Sequence, residues 1–554
     1  MSTDTSERLI SQQTAEAYNQ SGAPLIIRGG LVYDGSGSLP YIADLLLHEG
    51  RIKDIGQIEG PRAAWVIDAG GQCVTPGFID AHRHADFAVF TDETCSETLL
   101  AQGITSMIVG NCGMSAAPIG GVNQESWYTY IEPCLGKPAH TDRVESFDAY
   151  LHALDQLKLP IHTGAMVGMG TVLASIRGFD DHAWTAAERS QVSCLLLQAL
   201  DAGAIGISCG LMYRPEMFAS SEDYIQMLKP AAAYGRPLTC HMRSEGDGLL
   251  RSVQEVIDIA KKADLSLNIS HFKVFGKSNW QRTLPKAIDL IDKARQDGQD
   301  ITVDFYPYDS GSTTLLTLIP PVCMKAALEQ TLEFLSSRTG TELLRREIMR
   351  KNPDWDNMVE SIGWDRVIIS SVITEKNRGC LGRSLTDITA DGHDEDETAC
   401  LIRLLCEEKG RVAVIVRSMS QEDVDRVALL PYASVISDSL YGAPDHPHPR
   451  LNGAFPRIWQ ELVLKRKLLT PQQAIHKMTS LPAKRYGLTG RGLLQIDKQA
   501  DVVIFDPSKL SDRATYDNPR EKAAGIDKVL TDGQIVWNKG KRFKGACASM
   551  IRAR

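Results

Sequence analysis

The alternation of short apolar strands with helical stretches constrains this fold more than any other feature of the sequence. Between about residues 77 and 485, runs of roughly four to eight apolar residues are separated by longer segments of helical pattern. This alternation is typical of parallel βα units, and a closed barrel accommodates so many units better than an open sheet. Ten segments are candidate strands for eight places, so two are misread or belong to insertions. They are residues 78–84, 105–111, 161–168, 204–210, 237–243, 265–273, 301–308, 367–372, 412–418 and 433–438.

Short β-patterned segments also lie near both ends of the chain. Residues 24–73 contain β-branched runs between Gly-rich turns, and residues 500–507 and 526–543 repeat this pattern. Because chain termini often lie close together in a domain, we expect the two parts to form one small sandwich. The predicted fold class is therefore α/β, a (β/α)8 TIM-like barrel with a small β-sandwich domain built from both termini and an inserted lid segment.

The same patterns predict the domain boundaries. Residues 1–23 are polar and indicate a flexible N-terminal extension. Residues 24–76 and 486–554 are assigned to the two parts of the sandwich, and residues 77–485 to the catalytic barrel. From about 315 to 364 mixed helical and polar residues interrupt the alternation, and we expect this stretch to form a lid above the barrel.

Composition argues against several classes of function. The formal net charge of −9 at pH 7 disfavours a nucleic-acid groove or a basic membrane patch. The first residues lack the apolar core of a signal peptide, and no apolar run approaches the roughly 20 residues that span a bilayer. The 12 cysteines are scattered without a C-x-x-C pair, as in a reducing compartment. We therefore predict a cytoplasmic protein that acts on a small molecule, with its oligomeric state left open.

The segment GFIDAHRHAD, residues 77–86, carries the strongest local signal for chemistry. Side chains two positions apart in a strand point the same way, so His82 and His84 share one face. At the carboxyl end of a barrel strand, the two imidazoles could bind one metal ion. The alternative is a polar strand end with two solvated histidines.

Further metal-ligand types follow other predicted strands. Cys112 lies in the turn after 105–111, His241 and His271 end two later strands, and Asp438 ends the last. Strand ends form the active-site rim of such barrels. Each residue alone is more often structural, but ligand types at five strand ends together favour a catalytic zinc site with an open position for water. Asp438 is then predicted to take a proton from that water and to pass it to the leaving amine.

Several motifs occur in the order of one known family. They are GFIDAHRHAD, GNCGMS, GISCGLMYRP, TCHMRSEG, ISHFKVFGKSNW, DFYPYDSGST, SDSLYGAPDHPHPR and GAFPR. From about Pro24 to Ala548 the chain resembles the D-aminoacylase (N-acyl-D-amino-acid deacylase) branch of the amidohydrolase superfamily. The resemblance implies zinc-dependent hydrolysis of the amide bond of N-acyl-D-amino acids to a carboxylic acid and a free D-amino acid.

The resemblance also implies roles for individual residues. The implied ligands of a tightly bound zinc are Cys112, His241 and His271, and those around a second, weaker site are His82, His84 and Asp438. The Cys112 thiolate would bridge in place of the carboxylated lysine of related hydrolases. The implied substrate residues are Lys273, Tyr306, Ser312 and Arg450 for the α-carboxylate and Tyr213 for the scissile carbonyl. Glu245 is expected to orient Arg243 or a ligand.

Two other functions are compatible with parts of this pattern. A cyclic-amide hydrolase of the dihydroorotase or hydantoinase kind shares the barrel, although strand 204–210 has no lysine and the Cys112 turn differs. A non-catalytic amidohydrolase-fold scaffold is the third candidate, and it predicts missing ligands.

Overall fold

The structure of the chain is a computed structural model. It describes residues 8–11, 13–59, 61, 64–92, 94–138, 145–325, 327–352, 355–391, 395–442, 445–543 and 548–553. Within these ranges, no helix is both long and apolar enough to cross a bilayer.

Eight parallel strands form the central barrel. They are β1 (Phe78–Asp80), β2 (Ile104–Val109), β3 (His162–Ala165, continued by Val167–Gly168), β4 (Ile207–Gly210), β5 (Leu238–His241), β6 (Leu267–Ile269), β7 (Ile301–Phe305) and β8 (Ala433–Val435). Each pairs in parallel with the next. The barrel closes where the Asp438 N–H donates to the His82 carbonyl oxygen at 2.9 Å. The predicted fold class is confirmed.

The barrel strands are buried on both faces, which explains why their sequences are apolar throughout. All six residues of β2 are buried, as expected for a parallel strand that packs on the barrel interior and on the surrounding helices. The helix Leu249–Ala263 buries Leu249, Val253, Val256 and Ala260, which lie three or four positions apart on one face. The α-helices around the barrel are Ala88–Thr91, Cys95–Leu100, Gln124–Leu135, Phe147–Gln156, Met169–Arg177, Ala186–Ala202, Ser221–Leu228, Leu249–Ala263, Thr283–Gln296, Gln421–Leu429, Arg450–Arg457, Pro471–Met478 and Ser480–Arg485.

A ten-stranded sheet joins the two ends of the chain. Cys73–Pro76 pairs antiparallel with Val502–Phe505, which brings N- and C-terminal segments into one domain. The other strands are Arg8–Leu9, Leu25–Val32, Tyr41–His48, Arg51–Gly56, Trp65–Asp68, Ile526–Thr531, Gln534–Asn538 and Lys541–Arg542.

Both chain ends differ from their expected placement. Residues 1–23 were expected to be a flexible extension, but Ala15–Ser21 forms a helix whose Tyr18 hydroxyl donates to the Gly533 carbonyl oxygen at 2.7 Å. Residues 1–7 and 12 lie outside the described residues. At the other end, Met550–Ile551 leaves the sheet and pairs in parallel with β3 of the barrel.

The lid is longer than the expected 315–364 stretch. Gly311–Thr314, Val367–Ser371 and Ala413–Val416 form a three-stranded antiparallel sheet, with Ala413–Val416 in the middle. The candidate strands 367–372 and 412–418 therefore belong to this insertion and not to the barrel. Lid helices are Leu328–Ser336, Arg338–Glu347, Met358–Ile362, Leu385–Ala390 and Glu397–Glu407. The lid has its own apolar core, to which Phe275 from the loop after β6 also belongs.

Candidate active site

The carboxyl ends of the barrel strands bring the six predicted ligand residues together. All six are buried, with side chains that lie at the ends of β1, β2, β5, β6 and β8. They are His82, His84, Cys112, His241, His271 and Asp438.

Three of these residues adopt backbone angles that favour glycine. Cys112, His271 and Asp438 have φ values of 53°, 36° and 49°. This left-handed region is costly for residues with a side chain and is found preferentially at functional sites. The turns re-aim these three side chains as their strands end.

Cys112 lies at the centre of the ligand cluster. Its Sγ atom is 3.3 Å from His82 Nε2 and 3.4 Å from His271 Nε2. Asp438 Oδ1 lies 3.4 Å from the Nε2 atoms of both His82 and His84. Two groups of ligand atoms, each within 4.8 Å of one another, share the thiol: His82, His84 and Cys112 in one, and Cys112, His241 and His271 in the other. Cys112 is therefore the residue common to both candidate metal-binding groups.

The chemistry of these donors fits a divalent metal such as zinc. The Nδ1 atoms of His82, His84 and His241 are buried without a hydrogen-bond partner. Burial holds the pKa of His241 and of His271 well below the usual range, so both imidazoles are neutral, which is the form that binds metal. Burial also raises the pKa of the Cys112 thiol, an effect that a bound cation opposes.

Several neighbours together keep Asp438 ionised. Burial alone would raise the pKa of Asp438, but the charges of Arg450 and His82 and the hydrogen bond with His84 together hold this pKa well below the usual range. Arg450 Nη1 lies 2.9 Å from Asp438 Oδ2, and its guanidinium sits 4.5 Å from the Tyr306 ring centroid. Arg450 itself is not among the described side chains that line the cavity above the ligands. The three guanidinium nitrogens are buried and form no hydrogen bond within the described part of the chain, so the implied α-carboxylate role of Arg450 stays a prediction.

Glu245 connects a ligand to the predicted substrate cation. Its Oε1 atom is 2.7 Å from Lys273 Nζ and 3.0 Å from His271 Nδ1. The alternative that Glu245 orients Arg243 is not what the structure shows, because Arg243 pairs with Glu255 at 3.1 Å. A carboxylate against the outer nitrogen of a metal-binding histidine typically fixes its tautomer.

A cavity of about 630 Å³, part of it open to solvent, lies above the ligand cluster. Lys273, Tyr213, Tyr306 and Ser312 all line it, as the resemblance implies. The Tyr213 ring centroid is 4.8 Å from that of His241, which places Tyr213 beside the candidate metal ligands. The Ser312 hydroxyl donates to the Val414 carbonyl oxygen at 3.1 Å, so part of its hydrogen-bonding capacity is already used.

Sequence patterns did not indicate three residues that shape the site. Asp304 in β7 accepts the backbone N–H of His271, and its Oδ1 lies 3.8 Å from His82 Nδ1. Met212 Sδ is 2.7 Å from His241 Nε2. Glu216, buried below the Cys112 turn, accepts from the Gly210 N–H at 2.9 Å. An inward-facing carboxylate in β7 is the one signal that alternation along the strand offers for Asp304.

A separate group of one histidine and two carboxylates lies away from the cavity, between the barrel and the terminal sheet. His162 Nε2 is 3.0 Å from Asp501 Oδ1 and 3.7 Å from Asp532 Oδ1. Arg491 also pairs with Asp501, so this group forms a buried ion-pair network that connects the two domains.

Comparison with known proteins first identifies the class of protein to which this chain belongs. Residues 415–537 match the profile described as "Amidohydrolase family". The chain is 31% identical to a D-aminoacylase of Alcaligenes xylosoxydans xylosoxydans, over 96% of this chain and 97% of the relative. It is 33% identical to an N-acyl-D-glutamate deacylase of the same organism, over 94% of each. The protein is thus an amidohydrolase.

Solved structures narrow the class to one family. An N-acyl-D-glutamate deacylase from Bordetella bronchiseptica, complexed with zinc and a phosphonate inhibitor, superposes with a TM-score of 0.80 at 32% identity and covers 96% of this chain and 99% of its own. A D-hydantoinase is 14% identical with a TM-score of 0.53, so it shares the fold alone. The chain belongs to the D-aminoacylase (N-acyl-D-amino-acid deacylase) family. The predicted hydrolase acting on linear amides is confirmed.

Proposed function

We propose that this protein is a zinc-dependent hydrolase that cleaves the amide bond of N-acyl-D-amino acids and releases a carboxylic acid and a free D-amino acid. The observation that carries this proposal is the clustering of six ligand-type side chains, Cys112 among them, beneath a cavity that Lys273 also lines. A scaffold that had lost its chemistry would be expected to lack part of this set, and a cyclic-amide hydrolase has no support beyond the shared fold.

Two sets of ligands are proposed for the metal. Cys112, His241 and His271 would hold the catalytic zinc, since these three donors lie in one buried group. His82, His84 and Asp438 would surround a second, weaker site. When bound, zinc polarises the carbonyl oxygen and activates water at neutral pH.

Asp438 and Tyr213 are proposed to carry out the remaining chemistry. Arg450, together with His82 and His84, keeps Asp438 ionised at neutral pH, so a carboxylate oxygen is available to accept a proton from the attacking water. The same carboxyl then returns the proton to the nitrogen of the breaking C–N bond, which leaves as the amine. Burial raises the pKa of Tyr213, so its hydroxyl stays protonated and can donate a hydrogen bond to the developing oxyanion.

Lys273, Tyr306 and Ser312 are proposed to bind the substrate α-carboxylate. All three line the cavity, and Lys273 supplies the positive charge. Arg450 is proposed to join them, since its guanidinium contacts the Tyr306 ring and its buried nitrogens form no hydrogen bond within the described residues. The preference for D-enantiomers is supported by the similarity of this chain to a D-aminoacylase and to an N-acyl-D-glutamate deacylase.

The test is a panel of N-acetyl-D- and N-acetyl-L-amino acids, assayed with zinc-loaded protein, with and without a chelator. We expect hydrolysis of D-enantiomers that the chelator abolishes and added zinc restores. Hydrolysis confined to L-enantiomers would refute the stereochemical assignment. Near-normal turnover by Asp438→Asn with unchanged metal content would refute the role of Asp438 in proton transfer.

A further inference from the structure

The walls of the cavity differ sharply in polarity. Besides the ligand residues, a group of apolar side chains lines the space and forms what we call the apolar wall. They are Met114, Met212, Phe275, Met358, Val416 and Leu440. Phe275, Met358 and Val416 belong to the lid core, so the lid supplies much of this wall.

The lid part of this wall is attached to the segment that holds Lys273. The Phe275 N–H donates to the Glu245 carbonyl oxygen at 2.9 Å, and Phe275 lies two residues after Lys273. Asp356, two residues before Met358, accepts the Glu245 N–H at 2.6 Å. A substrate whose α-carboxylate pairs with Lys273 would therefore direct its side chain, carried by the same Cα, toward Phe275 and Met358.

The charges of the cavity are already balanced. Lys273 is the sole lysine or arginine among the described residues of the lining, and Glu245 pairs with it at 2.7 Å. Arg450 is not among the described lining residues, and its Nη1 atom lies 2.9 Å from Asp438 Oδ2. An acidic substrate side chain would bring a second carboxylate beside Glu245 with no additional cation to pair with it. A buried, unpaired carboxylate is strongly disfavoured, whereas burial of an apolar side chain is favourable.

We infer that this protein prefers N-acyl-D-amino acids with large apolar side chains, such as methionine, leucine or phenylalanine, over those of D-glutamate and D-aspartate. This inference rests on the function proposed above. It uses the cavity of this chain alone, because its relatives include both a D-aminoacylase and deacylases of acidic D-amino acids at similar identity.

The test compares kcat/KM for N-acetyl-D-methionine, N-acetyl-D-glutamine and N-acetyl-D-glutamate. The three side chains are similar in length, so polarity and charge are the main variables. We expect methionine to exceed glutamate by about 100-fold or more, with glutamine in between, because uncompensated burial of charge discriminates strongly. A value for glutamate equal to or above that for methionine would overturn the inference. If none of the three is hydrolysed, the proposed function itself fails, and this outcome is distinct.

A substitution in the apolar wall tests whether this wall determines the preference for apolar substrate side chains. Met358→Lys adds a cation at the end of the wall nearest Glu245 and is expected to narrow the methionine-to-glutamate ratio by at least about tenfold. Met358→Leu is the matched control, expected to retain the ratio within about threefold. An unchanged ratio in a Met358→Lys protein with wild-type zinc content and Tm would show that the substrate side chain does not lie against this wall.

Discussion

Glu216 provides a sharp test of how burial shapes the base of the active site. Its side chain is 1% exposed and supports the turn that presents Cys112: its Oε1 accepts from the Gly210 N–H at 2.9 Å, and its Oε2 accepts from the Tyr224 hydroxyl at 2.8 Å. Burial raises the pKa of Glu216 from 4.5 to about 8. A tenfold change in proton affinity is worth about 1.4 kcal/mol. The raised pKa therefore changes the free energy of unfolding by about 5 kcal/mol between pH 4.5 and 8.

The sign of the effect follows from proton linkage. The folded protein holds the Glu216 proton more tightly than the unfolded chain, so this group does not destabilise the protein below pH 4.5. Stability is lost as the pH rises toward 8, and the full cost of about 5 kcal/mol applies above pH 8. Glu216→Gln keeps the shape and removes the ionisation. We expect the variant to match or fall slightly below the wild type at pH 5 and to exceed it at pH 9.

The measurement is the difference in Tm between variant and wild type at pH 5 and at pH 9. We expect this difference to grow at pH 9 by on the order of 5 °C. Glu222→Gln is the matched control, because Glu222 lies on the helix that also carries Tyr224 but is exposed. A Glu216→Gln difference that is independent of pH, or that becomes more negative at pH 9, would refute the reasoning.

Three further substitutions test other parts of the site. Gly113→Ala would place a Cβ 1.7 Å from Glu216 Oε1 at a backbone φ of 74°, so we expect a fall in Tm and loss of bound zinc, measured by calorimetry and metal analysis. Glu245→Gln removes the carboxylate beside His271 Nδ1 and is expected to weaken zinc binding by roughly 10- to 100-fold in a competition assay with a chelating dye. Lys273→Met is expected to raise KM for N-acyl-D-amino acids by about 100-fold, with a smaller change in kcat, in steady-state kinetics.

For each of these three substitutions, one result would contradict the expected effect. Wild-type Tm and zinc content in Gly113→Ala would show that the turn is not held by Glu216 as described. Unchanged zinc affinity in Glu245→Gln would remove the support for Glu245 as a residue that positions His271. A Lys273→Met protein that loses kcat while KM stays constant would place Lys273 in the chemical step and not in carboxylate binding.

Sequence patterns predicted the barrel well and the lid poorly, for a physical reason. All eight barrel strands were among the ten candidates, because parallel strands buried on both faces are apolar throughout. The strands 367–371 and 413–416 are equally buried, but they pair antiparallel in the lid sheet. Local composition reports burial and not the partner of a strand, so these two could not be told apart from barrel strands.

The N-terminal helix shows a different limit. Residues 15–21 are mostly polar, and only Ala15 and Tyr18 are buried, so the segment lacks the apolar stripe that normally marks a docked helix. Its attachment depends on the hydrogen bond from Tyr18 to Gly533, which is more than five hundred residues away in the chain. No local pattern carries that information.

In the candidate site, the metal-ligand residues could be predicted from the sequence, but the partners of the charged side chains around them could not. Position at a strand end located His82, His84, Cys112 and His241, since the barrel brings all strand ends to one rim. That Arg450 pairs with Asp438 depends on distances between residues of different βα units. The contacts of Glu245 with Lys273 and His271 have the same origin, so the sequence left open whether Glu245 orients Arg243 or a ligand.

The most direct test of the central claim is the product formed from a racemate. Zinc-loaded protein is incubated with N-acetyl-DL-methionine, and the products are separated on a chiral column. We expect the release of methionine to stop at half conversion, with free D-methionine as the amino-acid product and N-acetyl-L-methionine left intact. Release of L-methionine at a comparable rate, or no release of methionine by protein with a full complement of zinc, would contradict the proposed function.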